Sequence, residues 1–174
     1  SSFITKVGDK TEADKTKLEG AYFTMYTAGE NDTRVKYTNE TDSFITEESV
    51  ENITPPTGVN KEELVGTLRS DTNGHITVKG LKEGTYYLKE TTAPDGYTLN
   101  SHEFKIVVSA TYYGTTENPP TTDNPAGTLH SWSIKIDDKD ANTFEVQNNG
   151  DAILGGGKTT DTMTKVQIQN TTMS

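Results

Sequence analysis

Tyr86-Tyr-Leu-Lys-Glu90-Thr-Thr-Ala-Pro-Asp-Gly96-Tyr97 is the stretch on which the fold turns. Side chains alternate across a strand, so Tyr86, Leu88 and Glu90 share one face of a strand over Thr85–Thr91. Ala93-Pro-Asp-Gly96 closes it: proline fixes φ and glycine accepts the positive φ of a tight turn. The strand's apolar face therefore ends on a carboxyl, and a turn follows at once.

The same period-two pattern recurs on either side, and helical periodicity is scarce. Strands are expected at Ser2–Val7, Gly20–Tyr26, Leu64–Arg69, His75–Val78, Glu103–Tyr112, Ser131–Asp137, Thr143–Gln147 and Thr164–Asn170. In Gly20–Tyr26, Ala21, Phe23 and Met25 share one face, and Ile76 and Val78 point inward from theirs. Tight turns are expected at Ser70–Gly74 and Lys79–Gly84. Two polar excursions interrupt the series, one at 27–62 with a short helix around Thr46–Asn52, the other over Gly114–Leu129. Gly155-Gly-Gly157 reads as a flexible joint before the last strand. Many short strands separated by turn signals predict an all-β, immunoglobulin-like sandwich. A single domain spans 1–174, with insertions at roughly 27–62 and 110–160.

Composition agrees. Mean hydropathy is −0.73, yet the chain carries 8 Tyr, 5 Phe and 1 Trp, more aromatic content than disordered chains of this polarity hold. Abundant threonine suits a pleated, half-exposed surface. A net charge of −10 repels polyanions, which argues against nucleic acid and anionic membrane as partners. No apolar run approaches bilayer length, and no signal peptide opens the chain, as expected of a processed or excised piece. Without cysteine, disulfides, thiolate metal sites and cysteine nucleophiles are all excluded. A secreted domain this polar commonly carries a covalent staple, so something else has to supply one.

Three strands end their apolar face on a polar residue: Ile4 then Lys6, Tyr86 and Leu88 then Glu90, Val166 and Ile168 then Asn170. The three are a base, an acid and an amide. Burial drives a lysine toward the neutral, nucleophilic amine and a glutamate toward the protonated acid. Attack of that amine on the asparagine carbonyl, with the acid moving protons, expels ammonia and leaves an amide cross-link. A plainer reading stands beside it: Lys6 snorkels to water and Asn170 is an ordinary surface residue near a terminus.

Tyr86–Tyr97 resembles the E-box of Cna B-type domains, YxLxETxAPxGY, at every fixed position. Leu18-Glu-Gly-Ala-Tyr-Phe23 is similar to that family's LxGAxF segment. Asp71–Leu81, running into Gly84-Thr-Tyr86, resembles its DxxGxxxxxGLxxGxY stretch, and Val166-Gln-Ile-Gln-Asn170 resembles its last strand. The resemblance implies a Cna B-type, inverse immunoglobulin sandwich in which Lys6 and Asn170 form an intramolecular isopeptide bond promoted by Glu90. Where the family has Lys-Val-Asp, this chain has Lys6-Val7-Gly8-Asp9; Lys10 shares the parity of Lys6 and is the second candidate nucleophile.

The resemblance further implies the C-terminal domain of a shaft subunit of a sortase-assembled pilus (fimbrium); no cofactor or metal is expected. Its partners would be neighbouring pilin subunits joined head to tail, on the cell wall of a Gram-positive bacterium. Neither an LPxTG sorting signal nor a YPK pilin motif occurs in the chain. The alternative is an adhesin or pilus-tip domain whose insertions contact a host matrix protein or glycan, with Tyr112 and Tyr113 the leading contact residues. The only catalysis expected is the single-turnover self-linkage. Other signals lead nowhere: Gly157-Lys158-Thr159 lacks the first glycine of a phosphate loop, since position 152 is Ala. Asp137–Asn142 and Asn148–Asp151 lack EF-hand spacing and read as turns. His75, His102 and His130 are scattered and form no triad with Ser131.

Overall fold

The computed structural model describes residues 2–8, 19–40, 44–72, 75–78, 81–140, 153–155 and 165–170, with the first and last strands described by their backbone alone. Among these residues the chain is all-β, in two sheets. In chain order the strands are β1 (Ser2–Gly8), β2 (Tyr22–Ala28), β3 (Arg34–Lys36), β4 (Leu68–Arg69), β5 (His75–Thr77) and β6 (Gly84–Thr92). There follow β7 (Glu103–Tyr112), β8 (Leu129–Ile136), β9 (Lys139–Asp140), β10 (Ile153–Gly155) and β11 (Lys165–Asn170).

The larger sheet runs β3-β2-β6-β7-β8-β9, with β4 also on β2, and every pairing in it is antiparallel. The smaller sheet runs β10-β11-β1-β5, and its central pair, β1 with β11, is parallel. Alternation sends Phe23, Met25, Tyr86, Leu88, Phe104, Ile106, Val108, Ile134 and Ile136 from the larger sheet into one cluster, where Ile76 and Val78 meet them. Ile76 belongs to the smaller sheet, so the two sheets enclose this core as the layers of a sandwich. Each such side chain contributes on the order of 1.5–3 kcal/mol by leaving water.

The segment expected to be a polar excursion over 27–62 does structural work. Tyr22 faces away from Phe23, as its neighbour in a strand must, and that outer face of β2 would be apolar and wet if left open. Ile45, Val50 and Leu64 cover it, with Ile53, Val59 and Val65 packed alongside. The short helix expected around Thr46–Asn52 is a 3₁₀ turn at Ser49–Asn52. The strand expected over Leu64–Arg69 pairs only at Leu68–Arg69. Lys61–Leu64 is a further 3₁₀ turn, and Gly66 at φ 79° bends the chain between them. The bend is held by Gly66 N–H to Ile45 O at 2.7 Å and Ile45 N–H to Thr67 O at 2.8 Å.

A short strand not foreseen in the sequence, β3, closes the edge of the larger sheet. Its anchor is Arg34, whose guanidinium lies 3.5 Å from the Tyr87 ring centroid. The same group donates to Glu103 through Nε and Nη2 and to Asp32 through Nη1. At the other side β8 pairs with β7 from Tyr112–Leu129 inward; the strand expected over Ser131–Asp137 begins two residues earlier, and Asp137 falls in the turn that follows it, at φ 51°. The expected strand at Thr143–Gln147 lies outside the described residues. Gly155, expected in a flexible joint, ends β10 and pairs with Lys165, while Gly156 and Gly157 lie outside the described residues.

Candidate functional site

Glu90 stands near the end of β6. Across β2 its partner is Phe23, with Leu88 and Tyr86 before it on the same buried face. Only 1% of Glu90 is exposed. On the other side the β6–β7 ladder stops at Lys89–Glu103, one residue short of Glu90. There the loop entering β7 takes over, and the backbone N–H of Asn100 donates to Glu90 Oε2 at 3.0 Å. The carboxyl is thus placed on the core side of the larger sheet, the side that the smaller sheet covers. Burial of a carboxyl penalises its charged form, and a donated N–H offsets part of that penalty.

Lys6 and Asn170 lie in neighbouring strands of the smaller sheet. Their ladder pairs Lys6 with Ile168, Val7 with Gln169 and Gly8 with Asn170. The backbone therefore brings the base-bearing and amide-bearing strands side by side, in parallel, with the two positions two residues apart. Ile4, opposite Val166 on one side, pairs with Ile76 on the other. Lys10, the second candidate nucleophile, lies outside the described residues.

The loop after the glutamate is braced at several points. Tyr97 N–H donates to Pro94 O at 3.1 Å, which is the turn expected at Ala93–Gly96. Thr57, from the segment covering the outer face of β2, donates its N–H to Asp95 Oδ1 at 3.2 Å. Asn100 Oδ1 accepts His102 N–H at 3.0 Å. The His102 ring meets Asp137 Oδ2 through Nε2 at 2.8 Å and stands edge-on to Phe104 with centroids 4.5 Å apart. Asp137 Oδ1 accepts Lys105 N–H at 2.9 Å. The sequence does not mark Asn100, His102 or Asp137 as part of this site. Asn-x-His just before a strand is a local signal for a side-chain-closed turn, but nothing in the sequence points from residue 102 to residue 137.

Asp137 and Asp138 form the β8–β9 turn with φ of 51° and 64°. The first carboxylate is engaged by Lys105 and His102, consistent with a turn rather than a calcium loop. Among the described residues no three His, Asp or Glu side chains gather closely enough to hold a metal ion. No helix there is long and apolar enough to cross a membrane.

Of the two tyrosines picked out as contact residues, Tyr112 is 43% exposed, next to Leu129 at 49%, its partner across the β7–β8 ladder. Tyr113 is half-buried and edge-on to His130, 5.1 Å between centroids. An open cleft of about 500 Å³ lies beside them, lined by Ala110, Thr111, Tyr112, Thr115, Glu117 and Asn118 among others.

A sandwich whose core is shared by an antiparallel sheet and a smaller sheet pairing the first strand with the last defines the class. The chain belongs to the family described as "SpaA: Prealbumin-like fold domain", whose pattern it matches over residues 4–119, from within β1 into the β7–β8 loop. No curated protein matches the chain. Among solved structures, it is similar to the pilus adhesin SpaC from Lactobacillus rhamnosus GG, at 18% identity and TM-score 0.43, covering 99% of this chain and 15% of that one. For the C-terminal fragment of SpaC the identity is 18% and the TM-score 0.48, covering 100% of this chain and 46% of the fragment. For the group B streptococcus pilus 2b backbone protein the figures are 23% and 0.34, covering 70% of this chain and 35% of that one. The chain thus spans less than half the length of each of these structures.

Proposed function

We propose that this chain is a structural domain of a Gram-positive surface pilus subunit, locked by an intramolecular isopeptide bond between Lys6 and Asn170. The observation that carries the reading is the parallel pairing of β1 with β11, which sets those two positions two residues apart on adjacent strands. Membership of the SpaA prealbumin-like family, the Cna B-type motifs and the burial of Glu90 support it.

The chemistry is a single transamidation. The neutral Lys6 Nζ attacks Asn170 Cγ, the new N–C bond forms, the Cγ–Nδ2 bond breaks, and the departing nitrogen takes up a proton to leave as ammonia. Glu90, protonated, donates to the amide carbonyl and then shuttles the amine proton to the leaving group. Nothing is turned over afterwards, so the chain is no enzyme in the metabolic sense and requires no cofactor.

Placed between first and last strand, the bond carries tension along a covalent path and spares the hydrogen-bonded sheets. That suits a shaft pilin, in its C-terminal domain, joined to its neighbours by sortase on the bacterial cell wall. Single-molecule pulling on the two termini tests it. The linked chain yields no extension from residues 6–170, whereas Lys6→Ala unfolds with a gain of roughly 550 Å of contour. Full extension of the wild-type chain contradicts the reading.

A second reading, an adhesin or pilus-tip domain contacting a host matrix protein or glycan, is favoured by one feature. Tyr112 lines the cleft of the β7–β8 loop and stands exposed, as does Leu129, its partner across the ladder; an exposed aromatic beside an aliphatic is a small platform of the kind that flat sugar faces stack on. Glycan-array binding that is lost in Tyr112→Ala supports that reading, and no binding by the wild-type chain removes it.

A further inference from the structure

We infer that Asn100 is a positioning residue for Glu90, held in place by the His102–Asp137 pair; this deepens, and rests on, the self-linkage reading. The geometry starts where β6 outruns β7. Their ladder ends at Lys89–Glu103, one residue short of Glu90, and a loop N–H, that of Asn100, donates to Glu90 Oε2. An N–H can only donate. When Glu90 is the acid, the oxygen that accepts from Asn100 is therefore its carbonyl oxygen, and the transferable proton sits on Oε1. Asn100 in this way decides which oxygen does the proton work.

A loop N–H holds that post only if the loop is fixed, and each joint of this one is. Asn100 closes a turn on itself by accepting His102 N–H through Oδ1 at 3.0 Å. The imidazole of His102 is pinned between Asp137 Oδ2 at 2.8 Å and the edge-on Phe104 ring. Asp137 is tied to β7 twice, accepting Lys105 N–H at 2.9 Å through Oδ1 and donating its own N–H to Lys105 O at 2.9 Å. A continuous chain of directed contacts thus runs from the β8–β9 turn to the buried carboxyl. His102 is more than half exposed, so the far end of that chain lies open to solvent.

The test is a time course of linkage in newly made protein. Wild type and variants are synthesised in a cell-free system, quenched in denaturant at intervals, and weighed intact for loss of one ammonia. Asn100→Ala, which removes the side-chain acceptor, is expected to link about tenfold more slowly, the consequence of losing one well-placed hydrogen bond from the reacting group's support. Asn100→Ser keeps an acceptor oxygen and recovers most of the rate. His102→Ala is slowed likewise, and His102→Gln, which retains a donor toward Asp137, is restored. Such rescue by conservative change would not arise from general loosening of the fold. If Asn100→Ala fails to fold, His102→Ala at its exposed site carries the same comparison. Wild-type rates in both alanine variants overturn the inference alone, while a wild-type chain that never loses ammonia overturns the linkage reading beneath it.

Discussion

Lys6 of β1 stands opposite Ile168 of β11, in a parallel ladder that goes on to pair Gly8 with Asn170. Two residues along a strand, combined with one inter-strand spacing across it, put the two Cα positions roughly 8 Å apart, a span that a lysine and an asparagine side chain bridge together. The register matters as much as the pairing, because a slip by one residue reverses the face of every side chain on a strand.

A bond between these strands closes nearly the whole chain into a loop. In the chain-entropy picture that constraint on the unfolded state is worth about 5 kcal/mol. Lys6→Ala and Asn170→Ala are expected to lower the thermal midpoint by about 10–20 °C, each to the same extent, as read by scanning calorimetry. Unequal losses, or none, would show that the two residues do not act as one unit.

Phe104 is fully buried at the centre of the core shared by the sheets. Phe104→Ala is expected to cost about 3–5 kcal/mol, measured by urea unfolding in a Lys6→Ala background so that the comparison is free of the cross-link. A loss under 1 kcal/mol would mean the sheets do not close on one another there.

Gly66 turns the chain at φ 79°, and a Cβ there would come within 2.7 Å of Lys36 Nζ. The lysine tip can swing away, giving up its bond to Val65 O, but the backbone cannot. Gly66→Ala should therefore destabilise by about 1–2 kcal/mol, chiefly from the left-handed backbone, while Lys36→Ala at the same contact changes little.

Much of this was legible from residue order. Phe23, Met25, Tyr86, Leu88, Ile76 and Val78 reveal their buried face by alternation alone, and Glu90 was marked by sitting on that face. The tip of β6 was legible because proline and glycine stop the strand. The role of 44–65 was not, because Ile45, Val50 and Leu64 are spread over a stretch without period and meet only when it folds onto Tyr22. Nor was β3, three residues long and held by Arg34 against Tyr87 and Glu103, partners 53 and 69 positions away. The joint role of Asn100, His102 and Asp137 is not legible for the same reason: the Asn100–His102 turn is local, but the His102–Asp137 and Lys105–Asp137 contacts join residues whose proximity only the sheet order creates.

Tyr86 gives a pH signature. Burial, with Tyr37 nearby, raises its phenol above the ordinary value of 10.0, and its hydroxyl donates to Lys82 O at 2.8 Å. The folded state thus favours the protonated form. That contribution is fully present below about pH 10, the unfolded value, and is lost as pH rises through the higher folded value. Stability in a linkage-deficient background should fall more steeply above pH 10 in Tyr86 chains than in Tyr86→Phe. Parallel curves would remove Tyr86 as the cause.

Intact-protein mass spectrometry of the purified chain tests the central claim most directly, with Lys6→Ala and Glu90→Ala weighed beside it and peptide mapping to separate Lys6 from Lys10. The account predicts a wild-type mass short by one ammonia, a cross-linked peptide joining Lys6 to Asn170, and full masses in both variants. A wild-type chain at its full, unmodified mass would contradict it.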